Sequence, residues 1–333
     1  MKRPAHARRA AGGFTLVEML VTLAVGLVVM LAVVSVQQTF ESQRRTGVGG
    51  NDLDNAGAYA MAQIDGLIRS SGSGFSQSYA QTFGCPLSAV KSGTTILPAT
   101  ASFASPFDKA LGSGSDSNSL GGTVRLAPLV ILYQETNATQ LNGGNGASDV
   151  LMVMGGSGNE GNVPTPLLGA ATATTVPVQS GSGFAANDLT LLFDTVQTSG
   201  PAPCQVNQVN SITAGTNSAT LNLSGTYAAN PTTPWAFSVD TSVVPIGNTN
   251  GNYPPFQLLG VGANNQLYSY DLLQLQNSAP ISIADSVMEM HALYVVTTGA
   301  APGYAGVSPT GATYGAAALM SGSSAATTTL AAI

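Results

Sequence analysis

Residues 14–36 form an apolar run of 23 residues that carries one charge, Glu18. No other feature limits the fold of this chain as strongly. At helical rise the run spans about 35 Å, enough for a ~30 Å hydrocarbon core. Four cations precede it: Lys2, Arg3, Arg8 and Arg9. A basic flank is held on the cytoplasmic side, so the helix crosses the membrane and the chain beyond about residue 40 lies on the far side. A cleavable secretory signal fits less well, because its apolar region is usually ~7–15 residues and a small-residue cleavage site follows it. Here the small pair Gly12-Gly13 lies before the run. Cleavage after Gly13 would remove the basic leader and keep the anchor.

Glu18 is the anomaly in this run. A carboxylate near the start of a membrane helix costs about 2.5–3.5 kcal/mol on insertion scales, less close to the interface. Two readings follow. The side chain can snorkel to the headgroups, or it can pair with a cation created by processing. That cation would be the new α-amine of Phe14, on this chain or on a neighbour.

The stretch Gly13-Phe14-Thr15-Leu16-Val17-Glu18-Met19-Leu20 resembles the class III signal of type IV prepilins. The resemblance implies that a prepilin peptidase cuts between Gly13 and Phe14 and that Phe14 is then N-methylated. It also implies that Glu18 docks the subunit by neutralising the N-terminal amine of an adjacent subunit in the filament.

Charge and composition narrow the class. Loss of residues 1–13 leaves six cations against 16 acids and moves the net charge from −6 to −10. Residues 126–333 hold nine acids and no Lys or Arg, so the distal region repels phosphate and direct nucleic-acid binding is disfavoured. Charged residues make up only 8% and there are 39 Gly, which suits a β-rich, loop-rich protein outside the cytoplasm. Arg44 and Arg45 can meet anionic headgroups or acids on neighbouring subunits; simple solvation fits them equally. Cys85 and Cys204 are the only cysteines. Beyond the inner membrane an even count suggests one disulfide, closing a loop worth about 4–5 kcal/mol in the chain-entropy model. Two buried free thiols are the alternative.

Apolar periodicity continues the helix over residues 37–71. Leu53, Ala56, Ala60, Ile64, Leu67 and Ile68, joined by Met61, make one stripe that is expected to pack on a sheet. Gly47, Gly49 and Gly50 each cost roughly 1 kcal/mol in a helix interior, so the helix is expected to soften or break near residues 46–51. Residues 92–122 read as a long connection with little regular structure. Strands are expected at 124–133, where Pro128 argues for an edge, and at 149–154, 188–196, 218–223, 256–261 and 267–276. Residues 286–296 read as strand or helix, with Tyr294-Val295-Val296 favouring strand. The domain plan is a leader (1–13), a membrane and filament-core helix (14–36), an amphipathic half-helix (37–71) and a β-rich domain (72–333). The expected fold class is α+β, a pilin-like long helix packed on an antiparallel β-rich domain.

The segment Asp54-Asn55-Ala56-Gly57-Ala58-Tyr59-Ala60, followed by Ile68-Arg69 and Phe83-Gly84-Cys85, is similar to the early region of the PilW-type minor pilins. Ala58 stands where an arginine is common in that family. Ser148-Asp149, Asn187-Asp188 and Ala284-Asp285 are similar to later landmarks, so the resemblance is strong over residues 10–90 and patchy to about 297. Family members often add an acidic turn and a further apolar, basic strand after the strand near Tyr294. Here Thr297–Gly306 is uncharged. Either this member departs from the family there or the native chain continues past Ile333, and the second is the expectation.

Catalytic patterns are missing. His6 leaves with the leader, which isolates His291, and one histidine makes no Ser-His-Asp set. The Gly-Ser clusters lack a strand-to-helix setting, and no phosphate loop occurs. Asp52-Leu53-Asp54 with Gly57 has Gln63 where a calcium loop needs its bidentate Glu. No enzyme activity, cofactor or metal is expected. The family resemblance implies a minor pilin that initiates type IV pilus assembly near the tip and supports adhesion and twitching motility. Its partners would be other minor pilins, the major pilin, the prepilin peptidase and the inner-membrane assembly platform. It would sit in the inner membrane with a periplasmic C-terminus and then move into the surface pilus. A minor pseudopilin of type II secretion and a tip adhesin that binds a surface ligand directly are the rival readings.

Overall fold

The structure is a computed structural model describing residues 15–99, 102–112, 119–134, 148–156, 163–194, 203–228, 237, 240–297, 304–321 and 323–332. Its first element, α1, is an unbroken helix at Leu16–Ser70. Its 55 residues rise about 80 Å. The expected break near residues 46–51 is absent, and Gly47, Gly49 and Gly50 are all helical. Their cost is met locally: propagation adds a hydrogen bond per residue once a helix exists. Thr46 donates its hydroxyl to the Ser42 carbonyl at 3.0 Å, and Glu41 lies 3.6 Å from Arg45 one turn away. The chain divides into two units that meet between Asn55 and Ala56, inside α1.

In the second unit, the outer part of α1 buries a stripe narrower than expected. Ala60 and Ile64 are buried and Leu67 packs partly against the main core. Met61 is 66% exposed and Ile68 37%, so these two stand at the stripe's solvent margin. Arg69 donates from Nε to Asp65 Oδ2 at 2.7 Å on the exposed face. That hydrogen bond holds the Asp65 carboxyl below its usual range and raises Arg69.

The helix is stitched at its end to the β-domain. Gly72 donates its N–H to the Met154 carbonyl at 2.8 Å, and Gly156 donates to the Ser73 carbonyl at 2.5 Å. The Ser73 hydroxyl donates to the Gly156 carbonyl. Gly155 is fixed as glycine by this approach, because a Cβ there would lie 2.4 Å from the Ser70 carbonyl oxygen.

Among the described residues fifteen strands follow. The first eight are β1 (Leu87–Lys91), β2 (Thr94–Leu97), β3 (Leu129–Leu132), β4 (Val150–Met154), β5 (Thr165–Pro166), β6 (Thr175–Val178), β7 (Asp188–Asp194) and β8 (Cys204–Gly215). The rest are β9 (Ser218–Leu223), β10 (Thr241–Asn248), β11 (Phe256–Val261), β12 (Gln266–Asp271), β13 (Ile281–Asp285), β14 (Tyr294–Thr297) and β15 (Tyr304–Val307). One sheet runs β2-β1-β8-β7-β10-β5, with β9 on the outer half of β8 and β6 on β9. A second runs β13-β12-β11-β4-β3, and β14 pairs with β15 in a third of two strands. Among the described strands, every pairing is antiparallel except β1 with β8. The architecture is α+β, as the sequence led us to expect.

Strand alternation explains how the two sheets share a core. Leu189, Leu191 and Phe193 of β7 join the main core with Val150, Met152 and Met154 of β4 and Phe256 and Leu258 of β11. The intervening Leu192 enters a second, smaller core with Val243, Val176, Leu221 and Leu223. Successive side chains point to opposite faces of a strand, so β7 is buried on both. Pro128 does mark an edge: β3 ends its sheet, and the N–H of Ile131 donates to the buried Tyr294 hydroxyl at 2.7 Å. Strand structure begins only at Leu129; Val124 and Leu126 instead bond the backbone at Gly84, Cys85 and Leu87.

Residues 92–122 are corrected in part. Ser92 and Gly93 both have positive φ and close a two-residue hairpin between β1 and β2, a turn whose twist matches the strands. Residues 286–293 are neither strand nor helix; the strand starts at Tyr294.

Candidate assembly site on the N-terminal helix

The helix begins at Leu16 because Thr15 caps it. The N–H of Glu18 donates to Thr15 Oγ1 at 3.3 Å, which satisfies one of the free N–H groups of the first turn. Thr-x-x-Glu is the spacing of a capping box, and that signal in the sequence could have identified Thr15 beforehand. Glu18 is exposed and is the acid of the first turn. There it faces the positive end of the helix dipole, which favours a carboxylate by about 0.3–1 kcal/mol.

From Leu16 to Val36 every side chain is exposed, and the large apolar ones range from Val34 at 41% to Leu16 at 78%. The run is long and apolar enough to cross a membrane, and none of its most apolar window is buried within the chain. At about 25 cal/mol per Å² of apolar surface, so bare a helix is stable only in lipid or against other helices. Gly13 and Phe14, the expected cleavage and methylation positions, lie outside the described residues. Farther along, Arg45 is within 3.6 Å of Glu41 on the exposed helix surface, so part of the basic pair at 44–45 is engaged locally.

Cys85 and Cys204 are joined in a disulfide, with Cα atoms 5.7 Å apart and a sequence separation of 119. Both are fully buried. The bond sits at the mouth of the parallel pair, where Leu87 is in register with Cys204 and Cys204 donates its N–H to the Pro86 carbonyl. Arg125 supports the same corner, donating from Nη1 to the Gly84 carbonyl at 2.7 Å. Its burial lowers the guanidinium pKa. His291 is 52% exposed and stands 3.6 Å from both Asp149 and Glu289, with no nucleophile in that set. Among the described residues no group of His, Cys, Asp and Glu is placed to hold a metal ion.

A family model described as the prokaryotic N-terminal methylation motif matches residues 8–34. The motif supports a type IV pilin-like or pseudopilin-like protein. It covers the end of the basic leader from Arg8, with Gly13, Phe14 and Glu18, and with the apolar helix it supports prepilin-peptidase processing, membrane anchoring and a structural rather than enzymatic role. No curated protein and no solved structure matches the chain.

Proposed function

We propose that this chain is a minor pilin of the PilW type that helps to initiate type IV pilus assembly at or near the tip. The observation that carries the reading is the start of α1, Leu16–Val36: a bare apolar stretch whose single charge is the Glu18 carboxylate in its first turn. Prepilin peptidase removes residues 1–13, and Phe14 is methylated on its new amine. The apolar half of α1 holds the subunit in the inner membrane until assembly. It then exchanges lipid contacts for contacts with neighbouring helices. Both environments are apolar, so the exchange is nearly neutral in hydrophobic energy and is guided by packing and by polar pairs. Glu18 supplies such a pair by meeting the N-terminal amine of an adjacent subunit. Its membrane cost is offset only in that position, which gives the subunit a register in the growing filament. Effects on adhesion and twitching follow through the number of pili made.

A minor pseudopilin of type II secretion would carry the same motif and the same anchor. Surface pili recovered by shearing from a strain lacking this gene separate the two. Loss of pili, restored by the gene in trans, is the expected result. Unchanged pili would remove the priming role and leave secretion as the function to test.

A further inference from the structure

The β-domain carries a polar cleft of about 380 Å³ between the end of α1, the β10–β11 loop and the β12–β13 loop. We propose that this cleft is a binding site for a neutral saccharide. The proposal stands whether or not the chain primes pilus assembly.

Its floor is the face of the second sheet where Gln257 alternates with the core residues Phe256 and Leu258. Gln257 is in register with Asp271, and Ser269 donates its hydroxyl to Gln257 Oε1 at 3.1 Å. That bond orients the amide through its oxygen, which leaves the NH2 group to serve as a donor. One wall is the Tyr253–Pro255 segment, where the half-buried Tyr253 and Pro255 supply a ring and a pyrrolidine for the C–H face of a sugar. The opposite rim carries the amides of Gln276 and Asn277.

Both rims are held in place. Asp271 accepts N–H groups from Leu273 at 2.9 Å, Leu275 at 2.7 Å and Gln276 at 3.3 Å. The same turn receives the Tyr227 hydroxyl at the Leu273 carbonyl and Lys91 Nζ at the Gln274 carbonyl. The Tyr253 loop is pinned by Asn248 donating to the Asn252 carbonyl at 2.7 Å and by Gly155 donating to the Pro255 carbonyl at 3.0 Å. A cleft with fixed walls avoids the ordering cost that weakens binding by mobile loops.

Chemistry selects the ligand. No Lys, Arg or His is among the lining residues, so a phosphate or a carboxylate finds no counter-charge. Asp271 is the single acid and its oxygens already serve the turn. Hydrolysis of a glycosidic bond uses two carboxylates, so the site binds without cleaving. A peptide adding as a strand needs free backbone groups: β11 and β12 are each flanked on both sides, and the open edge strand β13 meets the cleft only at Ile281. What remains is hydrogen bonding by amides and hydroxyls beside an aromatic ring, the complement of an uncharged sugar.

The test uses the full-length processed protein in lipid nanodiscs, which avoids sugar-based detergents, with saturation-transfer NMR against cellotriose, maltotriose and chitotriose. Sialyllactose serves as the anionic comparison and a Gly-Ser-Thr peptide as the protein-like one. The expected result is transfer to at least one neutral trisaccharide with millimolar affinity. Tyr253→Ala and Gln257→Ala should each weaken it roughly tenfold at unchanged melting temperature. Tyr253→Phe keeps the ring and should retain most of the binding. Transfer to none of the three neutral sugars overturns the proposal. So does binding that both alanine variants leave unchanged, or stronger binding of sialyllactose or of the peptide.

Discussion

Replacement of Glu18 by alanine is expected to abolish incorporation of this subunit into surface filaments while leaving it in the membrane. Two effects of the change have very different sizes. At the helix start, alanine forfeits the dipole interaction, about 0.3–1 kcal/mol, while the bond from the residue 18 N–H to Thr15 Oγ1 survives because it is a backbone bond. For membrane insertion the change is favourable, since a carboxylate in that position costs up to about 2.5–3.5 kcal/mol. In the assembled state, however, the neighbour's amine is left buried without its partner, at a cost of roughly 3–5 kcal/mol. That is more than a hundredfold in an equilibrium at 1.4 kcal/mol per factor of ten. Membrane fractions should therefore hold at least as much variant as wild type, and sheared filaments should hold almost none. Equal amounts of variant and wild type in the sheared fraction would remove Glu18 from docking.

The second large effect concerns the β-domain. Cys85→Ser with Cys204→Ser, or reduction of the wild type, is expected to cost about 4–5 kcal/mol of stability in the chain-entropy model. For a domain of this size that is a fall in Tm of roughly 7–9 °C. The length of the closed loop gives the effect its size, because the bond spans 119 positions. Its location adds to it: β1 and β8 pair over three residues beginning at Leu87 and Cys204, and the disulfide holds the entrance of that short parallel ladder. Thermal unfolding of the full-length protein in detergent, with and without reductant, reads the shift. A change of only a degree or two would mean that the ladder and the surrounding core hold this corner without the bond.

The strands legible in the sequence are those whose burial is apolar. Residues 149–154, 218–223 and 256–261 match β4, β9 and β11 closely, since Val150–Met154 is buried throughout and β9 alternates cleanly. The long β8 was not read as a strand because Gln205, Asn207 and Gln208 look like loop residues. In the fold they are buried, and Gln208 is used as a tertiary cap. Its Oε1 accepts from the Thr226 N–H at 2.8 Å and its Nε2 reaches Asn187 and Thr249. No local pattern encodes those partners. In β10, Pro245 and Gly247 disguise a strand that absorbs them at an irregularity in its pairing with β7. The uninterrupted α1 is the reverse case: summed local penalties at three glycines overstated the weakness of a helix extended from both sides.

The site divides in the same way. The helix start, with Glu18 in its first turn, is legible because a membrane imposes a long apolar run on which one acid stands out; Gly13 and Phe14 lie outside the described residues. The role of Ser148-Asp149 was not legible. Asp149 accepts N–H groups from Gln134 and Ala292, and Ser148 accepts one from Met290, so this landmark lashes residues 290–292 to the start of β4. The saccharide cleft is invisible in sequence because Tyr253, Gln257, Ser269 and Gln276 come from separate strands and loops, and the fold alone brings them together.

The most direct test of the central claim is mass spectrometry of sheared surface filaments. This chain is expected among the filament proteins, at low abundance, with its N-terminus at N-methylated Phe14. A chain confined to the membrane fraction, or one that still carries residues 1–13, would contradict it.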